Sequence, residues 1–409
     1  MSEFRRGWKP LFAATAGTMT GASPIPFNVV PVLIGPLVAE FGWSRLQVNL
    51  SITIYGVIAA LLAPLYGLFA DNLGVRPVAI TCLALFGLVF ACGAYIPGTL
   101  TGFYGLFVAI GLIGIGSTPV TWSRAVGLWF VRHRGLALGI MLLGTSLAGI
   151  IVPQIARAAV QASGWRMAFV WVAALPLVVG LPIALLLFRE PRPEERPAGL
   201  ADASGELTGL SAGAAVASRR FWTMWLSVLL AATAYGGAHI NMVQIAGLHG
   251  LGLAAATSVL SVTAVGILLG RVLTGLLLDR FWAPGVALPV LLLPALGCWL
   301  LIGTAPGTTP LFIGGFLLGF AAGAESDLIG FIAARYFGMR SYGRVYGLLY
   351  MPFGLGAAIS PAIYGYVRDT SGTYDPMLTA AVAMFAAAGL LLLTLGRYPV
   401  FGEAHGDAR

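Results

Sequence analysis

The chain has 409 residues, of which 58% are hydrophobic and only 9% are charged. Soluble domains carry about 25% charged residues, so this composition cannot cover a water-facing surface. The presence of only three cysteines excludes a disulfide scaffold, and the excess of apolar residues excludes a disordered chain. The composition therefore predicts a polytopic protein embedded in the lipid bilayer.

The net charge of +8 does not indicate a nucleic-acid partner. Of the 23 cationic residues, 22 are arginines, and nearly all of them lie in short gaps between apolar stretches, which is the pattern of membrane topology. The sequence has no CxxC, CxxCH, HExxH or GxSxG motif. We therefore predict no metal site, no cofactor and no enzymatic activity.

Each membrane-spanning helix needs about 20 apolar residues, and the chain offers twelve such stretches. Their unbroken hydrophobicity favours helices over a barrel, whose strands would alternate. The predicted fold is an all-α membrane protein with two six-helix bundles. The predicted spans lie near 10–37, 46–70, 77–96, 102–127, 135–159, 167–188, 221–246, 255–278, 284–304, 309–333, 343–366 and 376–396.

The two halves are separated and similar. Residues 1–188 form the first bundle and 221–396 the second, with 189–220 as a flexible cytoplasmic linker and 397–409 as a tail. The sequence GLFADNLGVRP at 67–77 recurs as GLLLDRFWAPG at 275–285, an offset of 208 residues. Two bundles related by a weak parallel repeat are typical of a large transporter fold with its site between the halves.

The distribution of cations predicts the orientation. With both termini on the cytoplasmic side, seventeen cations lie in cytoplasmic segments. The external gaps hold four, which are Arg45, Arg157, Arg166 and Arg368. We predict a bacterial inner-membrane protein, with an N-terminal segment that is a retained first span and no cleaved signal peptide.

The motif at 67–77 resembles the loop motif of the major facilitator superfamily. FGWSR at 41–45, WFVRHRGLALGIMLLG at 129–144 and RYFG at 335–338 look like its monocarboxylate transporter and oxalate:formate antiporter branch. This resemblance implies transport of organic anions, commonly with a proton. It also implies a cationic anchor in span eight, at Arg271. Animal members pair that Arg with an Asp where this chain has Ile267, and span eleven lacks the Lys of the oxalate antiporter, which argues against oxalate exchange.

Two arginines lie at membrane depth, where a charge is costly and is a functional candidate by default. Arg271 precedes Asp279 by eight residues, about 12 Å of helix, and its fork matches a carboxylate. Arg124 precedes Arg132 by the same number and is a candidate second anchor for a dianion. The structural alternatives are an ion pair for Arg271 and snorkelling to the interface for Arg124.

Two acids in span ten are candidates for proton coupling. Glu325 and Asp327 lie about 200° apart around a helix, so they cannot both face one cavity. Asp327 precedes Arg335 by eight residues and so matches the depth of Arg271. A carboxyl group that alternates between pairing with a cation and carrying a proton would couple transport to protons. The alternative is a permanent pair holding spans eight and ten together.

Further polar and aromatic residues are weaker candidates for substrate contact. Glycines 236 and 237 could break span seven beside His239 and Asn241. Packing within the bundles is the alternative for each of these candidates. The candidates are His239, Asn241, Asn28, Gln154 and Tyr350, with Phe353 beside the last.

The loop motifs predict a cytoplasmic gate. In the superfamily pattern the loop aspartate caps a helix and pairs with a basic residue, and the sequence offers Arg76 and Arg134 as partners for Asp71. Asp279 is the corresponding residue of the second half. A solvated loop charge is the structural alternative.

Together these features predict a monomeric secondary transporter of a small organic carboxylate by symport with a proton. One alternative is efflux of an amphipathic drug in exchange for protons, although two deep arginines favour an anion. A membrane sensor that binds without transport is the other. The tail after residue 397 is too short for a signalling domain, which argues against a sensor.

Overall fold

The computed structural model describes residues 3–197, 200, 206–251, 253–303 and 308–401, with the backbone alone for 253–257. Within this part of the chain, eleven helices are long and apolar enough to cross a membrane, and a bent pair in the second half makes the twelfth span. The predicted all-α architecture of twelve membrane helices is confirmed.

The spans are numbered α1 to α12 in chain order. The first half contains α1 Glu3–Phe41, α2 Arg45–Leu73, α3 Val75–Tyr95, α4 Leu100–Trp129, α5 Arg134–Ser163 and α6 Trp165–Leu187. The second half contains α7 in two pieces, Arg219–Ile240 and Met242–Leu248, then α8 Leu253–Arg280, α9 Ala283–Leu300, α10 Thr309–Phe337, α11 Tyr342–Ser371 and α12 Asp375–Leu393.

The helices α1 and α4 are interrupted where they meet. Ala22, in the interruption of α1, donates its amide to Ser117 Oγ at 3.0 Å. The carbonyl of Ala22 accepts a hydrogen bond from the Tyr55 hydroxyl at 2.6 Å. Backbone groups released from a helix within a membrane need such partners. The pieces are Glu3–Thr20 and Ile25–Phe41 in α1, and Leu100–Gly114 and Pro119–Trp129 in α4.

The break in α7 lies at Asn241 and not at the glycines that the sequence suggested. The two pieces of α7 meet at 60°. Asn241 Nδ2 donates to the carbonyl of Gly237 at 2.8 Å, so a polar side chain satisfies the helix end. Gly237 serves close packing instead, since a Cβ there would lie 2.0 Å from the Tyr364 ring.

The halves meet along two seams, α2 with α11 and α5 with α8. A Cβ on Gly67 would lie 1.9 Å from the carbonyl oxygen of Gly343, and one on Gly135 would lie 2.4 Å from that of Gly275. Both contacts are at the side of the molecule that carries the described residues of the linker, which we call the linker side. Only glycines permit this approach, so the linker side is closed by backbone against backbone.

At each seam, an aspartate of one half caps the N-terminus of a helix of the other half. Asp71, at the end of α2, accepts hydrogen bonds at 2.9 Å from the amides of Gly343 and Arg344 in the first turn of α11. Asp279, at the end of α8, accepts from the amides of Gly135 and Leu136 in the first turn of α5, at 2.6 and 2.9 Å. A negative charge is favourable at a helix N-terminus, so the repeated motif closes both seams.

The linker, predicted to be flexible, is docked over its second part. The carbonyl of Thr208 accepts from the amides of Met339 and Arg340, and Leu210 donates its amide to Phe337. These bonds attach the linker to the turn between α10 and α11. In the first part, hydrogen bonds from Arg189 lower the pKa of Glu195 to about 2.

Candidate functional site

Arg271 lies in α8 and is 7% exposed. Its Nη2 donates a hydrogen bond at 3.0 Å to Oγ1 of Thr145, which belongs to α5 in the opposite half. Its Nε and Nη1 have no hydrogen-bond partner among the described residues. A buried cation with unpaired donors costs free energy that a bound anion would recover.

Asp327 is the acid that lies beside Arg271. The distance from Arg271 Nη1 to Asp327 Oδ1 is 3.8 Å, which is a charge contact and too long for a hydrogen bond. Asp327 is fully buried, and neither of its oxygens has a hydrogen-bond partner among the described residues. The predicted match of depth between α8 and α10 is therefore confirmed for this pair.

Helix α5 covers the pair of charges from the first half. A Cβ on Gly139 would lie 3.3 Å from Oδ2 of Asp327 and 2.9 Å from the carbonyl oxygen of Arg271. This glycine lets α5 approach both residues closely. The site is thus completed by both halves, with the charges on one and Gly139 and Thr145 on the other.

Glu325 does not pair with Arg271, although it lies near enough to Tyr235 and Tyr350 for its charge to act on them. It lines a cavity of about 20 Å³ inside the second bundle, with Met224 and Ser227 of α7 and Leu392 of α12 among its neighbours. Its Oε1 has no hydrogen-bond partner among the described residues. The predicted angular separation of the two acids explains why Asp327 meets Arg271 and Glu325 does not.

Aromatic side chains of the second half lie near the guanidinium. Tyr235, Tyr346 and Tyr350 lie close enough to Arg271 for their hydroxyl groups to interact with its charge. The rings of Tyr346 and Tyr350 stack along α11 with centroids 6.0 Å apart. Phe353 follows at 5.1 Å from Tyr350. These rings form an aromatic wall near this cation.

His239 belongs to the same wall. Its ring stacks on Tyr235 with centroids 5.0 Å apart and an interplanar angle of 15°. Its Nδ1 has no hydrogen-bond partner among the described residues. The hydroxyl of Tyr350 lies near the side chain of Ser23 in the interruption of α1, so this wall lies next to the first half.

The remaining predicted contacts do not touch Arg271. Asn241 is used at the break of α7, where its Oδ1 also accepts from the Tyr374 hydroxyl at 3.1 Å. Asn28 donates to the carbonyl of Pro24 at 2.8 Å, and Gln154 is exposed on α5. A role for Asn28 and Gln154 in binding stays a prediction.

Arg124 lies at the gate and not beside Arg271. Its Nη1 is 2.8 Å from Asp71 Oδ1 and also donates to the carbonyl of Met339 at 3.1 Å. The predicted partners of Asp71 were wrong. Arg76 donates to the carbonyl of Leu185, and Arg134 donates to the carbonyls of Gly127 and Phe130 at the end of α4. The guanidinium of Arg124 reaches the linker side, as the alternative of snorkelling to the interface implies, and does not face the site of Arg271.

Among the described residues, no three His, Cys, Asp or Glu side chains lie together as a metal site requires.

The sequence profile described as Major Facilitator Superfamily matches residues 12–310. The chain belongs to the Major Facilitator Superfamily. Two superfamily relatives resemble nearly the whole chain. Monocarboxylate transporter 11 of Homo sapiens is 25% identical over 95% of this chain and 81% of its own. The hexuronate transporter of Escherichia coli (strain K12) is 26% identical, with 98% and 97% covered.

Solved superfamily structures have the same fold. FucP in its outward conformation matches with a TM-score of 0.71 at 17% identity, covering 95% of this chain and 99% of its own. The human organic anion transporter MFSD10 (TETRAN) matches with a TM-score of 0.72 at 16% identity, covering 96% and 100%. The predicted fold and superfamily are confirmed, and the protein is a multi-pass membrane transporter and not an enzyme.

Several residues of the site escaped the sequence analysis. Thr145, Tyr235 and Tyr346 are uncharged and lie in apolar runs, so composition does not single them out. One signal was available, because Tyr235 and Tyr346 each precede a predicted candidate by one helical turn. For Thr145 no signal existed, since only the packing of this superfamily fold brings α5 to α8.

Proposed function

We propose that the protein is a secondary active transporter that moves a small organic carboxylate together with a proton. The observation that carries this proposal is the buried guanidinium of Arg271, with two donor nitrogens unpaired, beside an acid that does not hydrogen-bond to it. A carboxylate is the ligand whose shape and charge fit such a fork. The relatives named for monocarboxylates and hexuronates, both carboxylate anions, support the same substrate class.

A monoanion fits the site better than a dianion. The second deep cation, Arg124, is occupied by Asp71 at 2.8 Å on the linker side. Arg271 is then the one arginine available to a substrate between the halves among the described residues. The aromatic wall of Tyr235, His239 and Tyr350 would contact the uncharged body of the substrate.

The proton would be carried by Asp327. When Asp327 is protonated, Arg271 becomes an uncompensated buried cation, and a substrate anion neutralises it. When the substrate leaves, Asp327 loses its proton and compensates Arg271 again. One proton and one monoanion would therefore cross together.

We place the protein in a bacterial inner membrane as a monomer, with the linker side in the cytoplasm. The excess of arginines on that side supports this orientation. Both described ends of the chain pack on linker-side loops. Glu3 accepts hydrogen bonds from the amides of residues 131–133, and the Tyr398 hydroxyl accepts from Ala283.

Uptake into proteoliposomes with an imposed pH gradient, over a panel of mono- and dicarboxylates, tests the function. Arg271→Lys keeps the charge but loses the fork, and we expect it to weaken substrate affinity by about tenfold or more. Arg280→Lys, at an exposed position about two and a half turns further along α8, is the matched control. Uptake of no carboxylate by the wild type would refute the function, and unchanged affinity in Arg271→Lys would remove Arg271 from the site.

A further inference from the structure

The hydrogen bond between Arg271 and Thr145 is the one hydrogen bond of the guanidinium, among the described residues, that reaches the other half. Arg271 lies in α8 of the second half and Thr145 in α5 of the first, so this 3.0 Å bond joins the two halves. The acid nearest to Arg271, Asp327, belongs to the same half as Arg271 and is 3.8 Å away. The guanidinium is therefore bonded to the opposite half in preference to its own acid.

The bond lies on the α5/α8 seam, which is closed in this structure. At the linker side, Gly135 and Gly275 are in contact, and a Cβ on either would lie within 2.7 Å of the other's carbonyl oxygen. One turn further along α5, Gly139 lies against the carbonyl of Arg271. Movement of α5 away from α8 would withdraw Thr145 together with these glycines.

Thr145 is suited to accept this bond. Its hydroxyl donates to the carbonyl of Leu142 at 2.8 Å, which leaves the oxygen lone pairs for Arg271. Hydrogen bonds to charged groups are among the stronger ones. Nε and Nη1 have no hydrogen-bond partner among the described residues, so a carboxylate can first contact the guanidinium there while Thr145 is still bonded. To bind on two nitrogens of the fork it must also use Nη2, where it competes with Thr145.

We propose that Thr145 is the residue through which the first half senses occupation of Arg271. In the empty transporter the Arg271–Thr145 bond holds the α5/α8 seam closed on the linker side. A substrate carboxylate that binds Arg271 on both nitrogens of the fork draws the guanidinium away from Thr145 and releases the seam. The release of the seam by substrate rests on the proposed function, whereas the closure of the seam by the Arg271–Thr145 bond concerns the empty protein alone.

The test measures the closed seam without substrate. Leu278 is 2% exposed and faces the position of a Cβ on Gly135 across the seam at 3.1 Å. We introduce Leu278→Cys after replacing the three native cysteines, and follow labelling of the purified protein by a small polar maleimide. Thr145→Val removes the hydroxyl at nearly constant volume, and we expect it to raise the labelling rate about tenfold, as loss of a bond to a charged group implies. Thr145→Ser keeps the hydroxyl and should label like the parent protein.

The matched control is Thr263→Val. Thr263 is a fully buried threonine of α8 whose hydroxyl bonds only the carbonyl of Val259 in its own helix, at 2.9 Å, among the contacts described. We expect no change of labelling there. Equal labelling in Thr145→Val and Thr263→Val would overturn the proposal. If Thr145→Val does not fold, Thr145→Ala replaces it in the same comparison.

A double mutant separates the hydrogen bond from local packing. In an Arg271→Gln background the bond to the charged group is gone, so adding Thr145→Val should not raise labelling further. An undiminished effect of Thr145→Val in that background would also overturn the proposal. Because no substrate is present, these results stand apart from the uptake assay. Unchanged affinity in Arg271→Lys would refute the substrate role while leaving the seam result intact.

Discussion

At the scale of single residues, the two acids of α10 offer a matched pair for testing proton coupling. Asp327 lies beside Arg271, whereas Glu325 faces a separate apolar cavity. We expect Asp327→Asn to abolish accumulation driven by a pH gradient, because the proton carrier is lost, while exchange of labelled substrate persists. Glu325→Gln should retain accumulation. Loss of accumulation in Glu325→Gln but not in Asp327→Asn would assign the role of proton carrier to Glu325 and not to Asp327.

Arg124 gives a second prediction at this scale. Its partner Asp71 is buried, and removal of one member of a buried ion pair costs roughly 3 kcal/mol. Arg124→Gln should therefore lower the thermal stability of the purified protein and reduce uptake of mono- and dicarboxylates by the same factor. A loss confined to dicarboxylates would instead make Arg124 a substrate anchor.

Residue depth could be read from the sequence, but residue direction could not. The rise of a helix is constant, so counting eight residues from the loops placed Arg271 and Asp327 at one level. The same count placed Arg124 at a comparable level, yet its side chain reaches Asp71. The rotation of a helix about its axis follows from packing against neighbours, which one sequence does not specify.

At the scale of helices, the seams depend on the absence of side chains. A Cβ on Gly67 would meet the backbone of Gly343 at 1.9 Å, and backbone cannot move aside. Gly67→Ala should hold the α2/α11 seam open and reduce uptake severely. Gly365→Ala, on α11 with nothing within 4 Å of its Cβ position, is the control and should transport normally. Normal uptake in Gly67→Ala would show that the seam does not close during transport.

The break of α7 and the docked linker show where prediction from the sequence ended. The sequence indicated Gly236 and Gly237 as the break because glycine is a poor helix former. The structure uses them for contact with α11 and breaks α7 at Asn241, whose amide satisfies the released carbonyl. The polar composition of the linker predicts flexibility, but backbone hydrogen bonds to the turn between α10 and α11 hold residues 208–210 in place.

At the scale of the whole molecule, the orientation can be tested with two cysteines. Gly213 in the linker and Gly247 at the end of α7 are both exposed. One span, α7, separates them, so they lie on opposite sides of the membrane. In intact bacterial cells a membrane-impermeant maleimide should label Gly247→Cys and not Gly213→Cys. The reverse pattern would invert the assignment of the linker side.

The two capped seams are alike in pattern but unequal in strength. Asp71 holds both the amides of α11 and the guanidinium of Arg124. Asp279 holds the amides of α5, and no described cation lies within 4 Å of it to form an ion pair. The cap of the α5/α8 seam therefore lacks the ion pair that the other cap has, and this seam depends on the bond between Arg271 and Thr145. We expect opening to begin along this seam once that bond is released and to pivot about the other, so that the passage to the linker side forms first next to the cation and only later across the full width of the molecule.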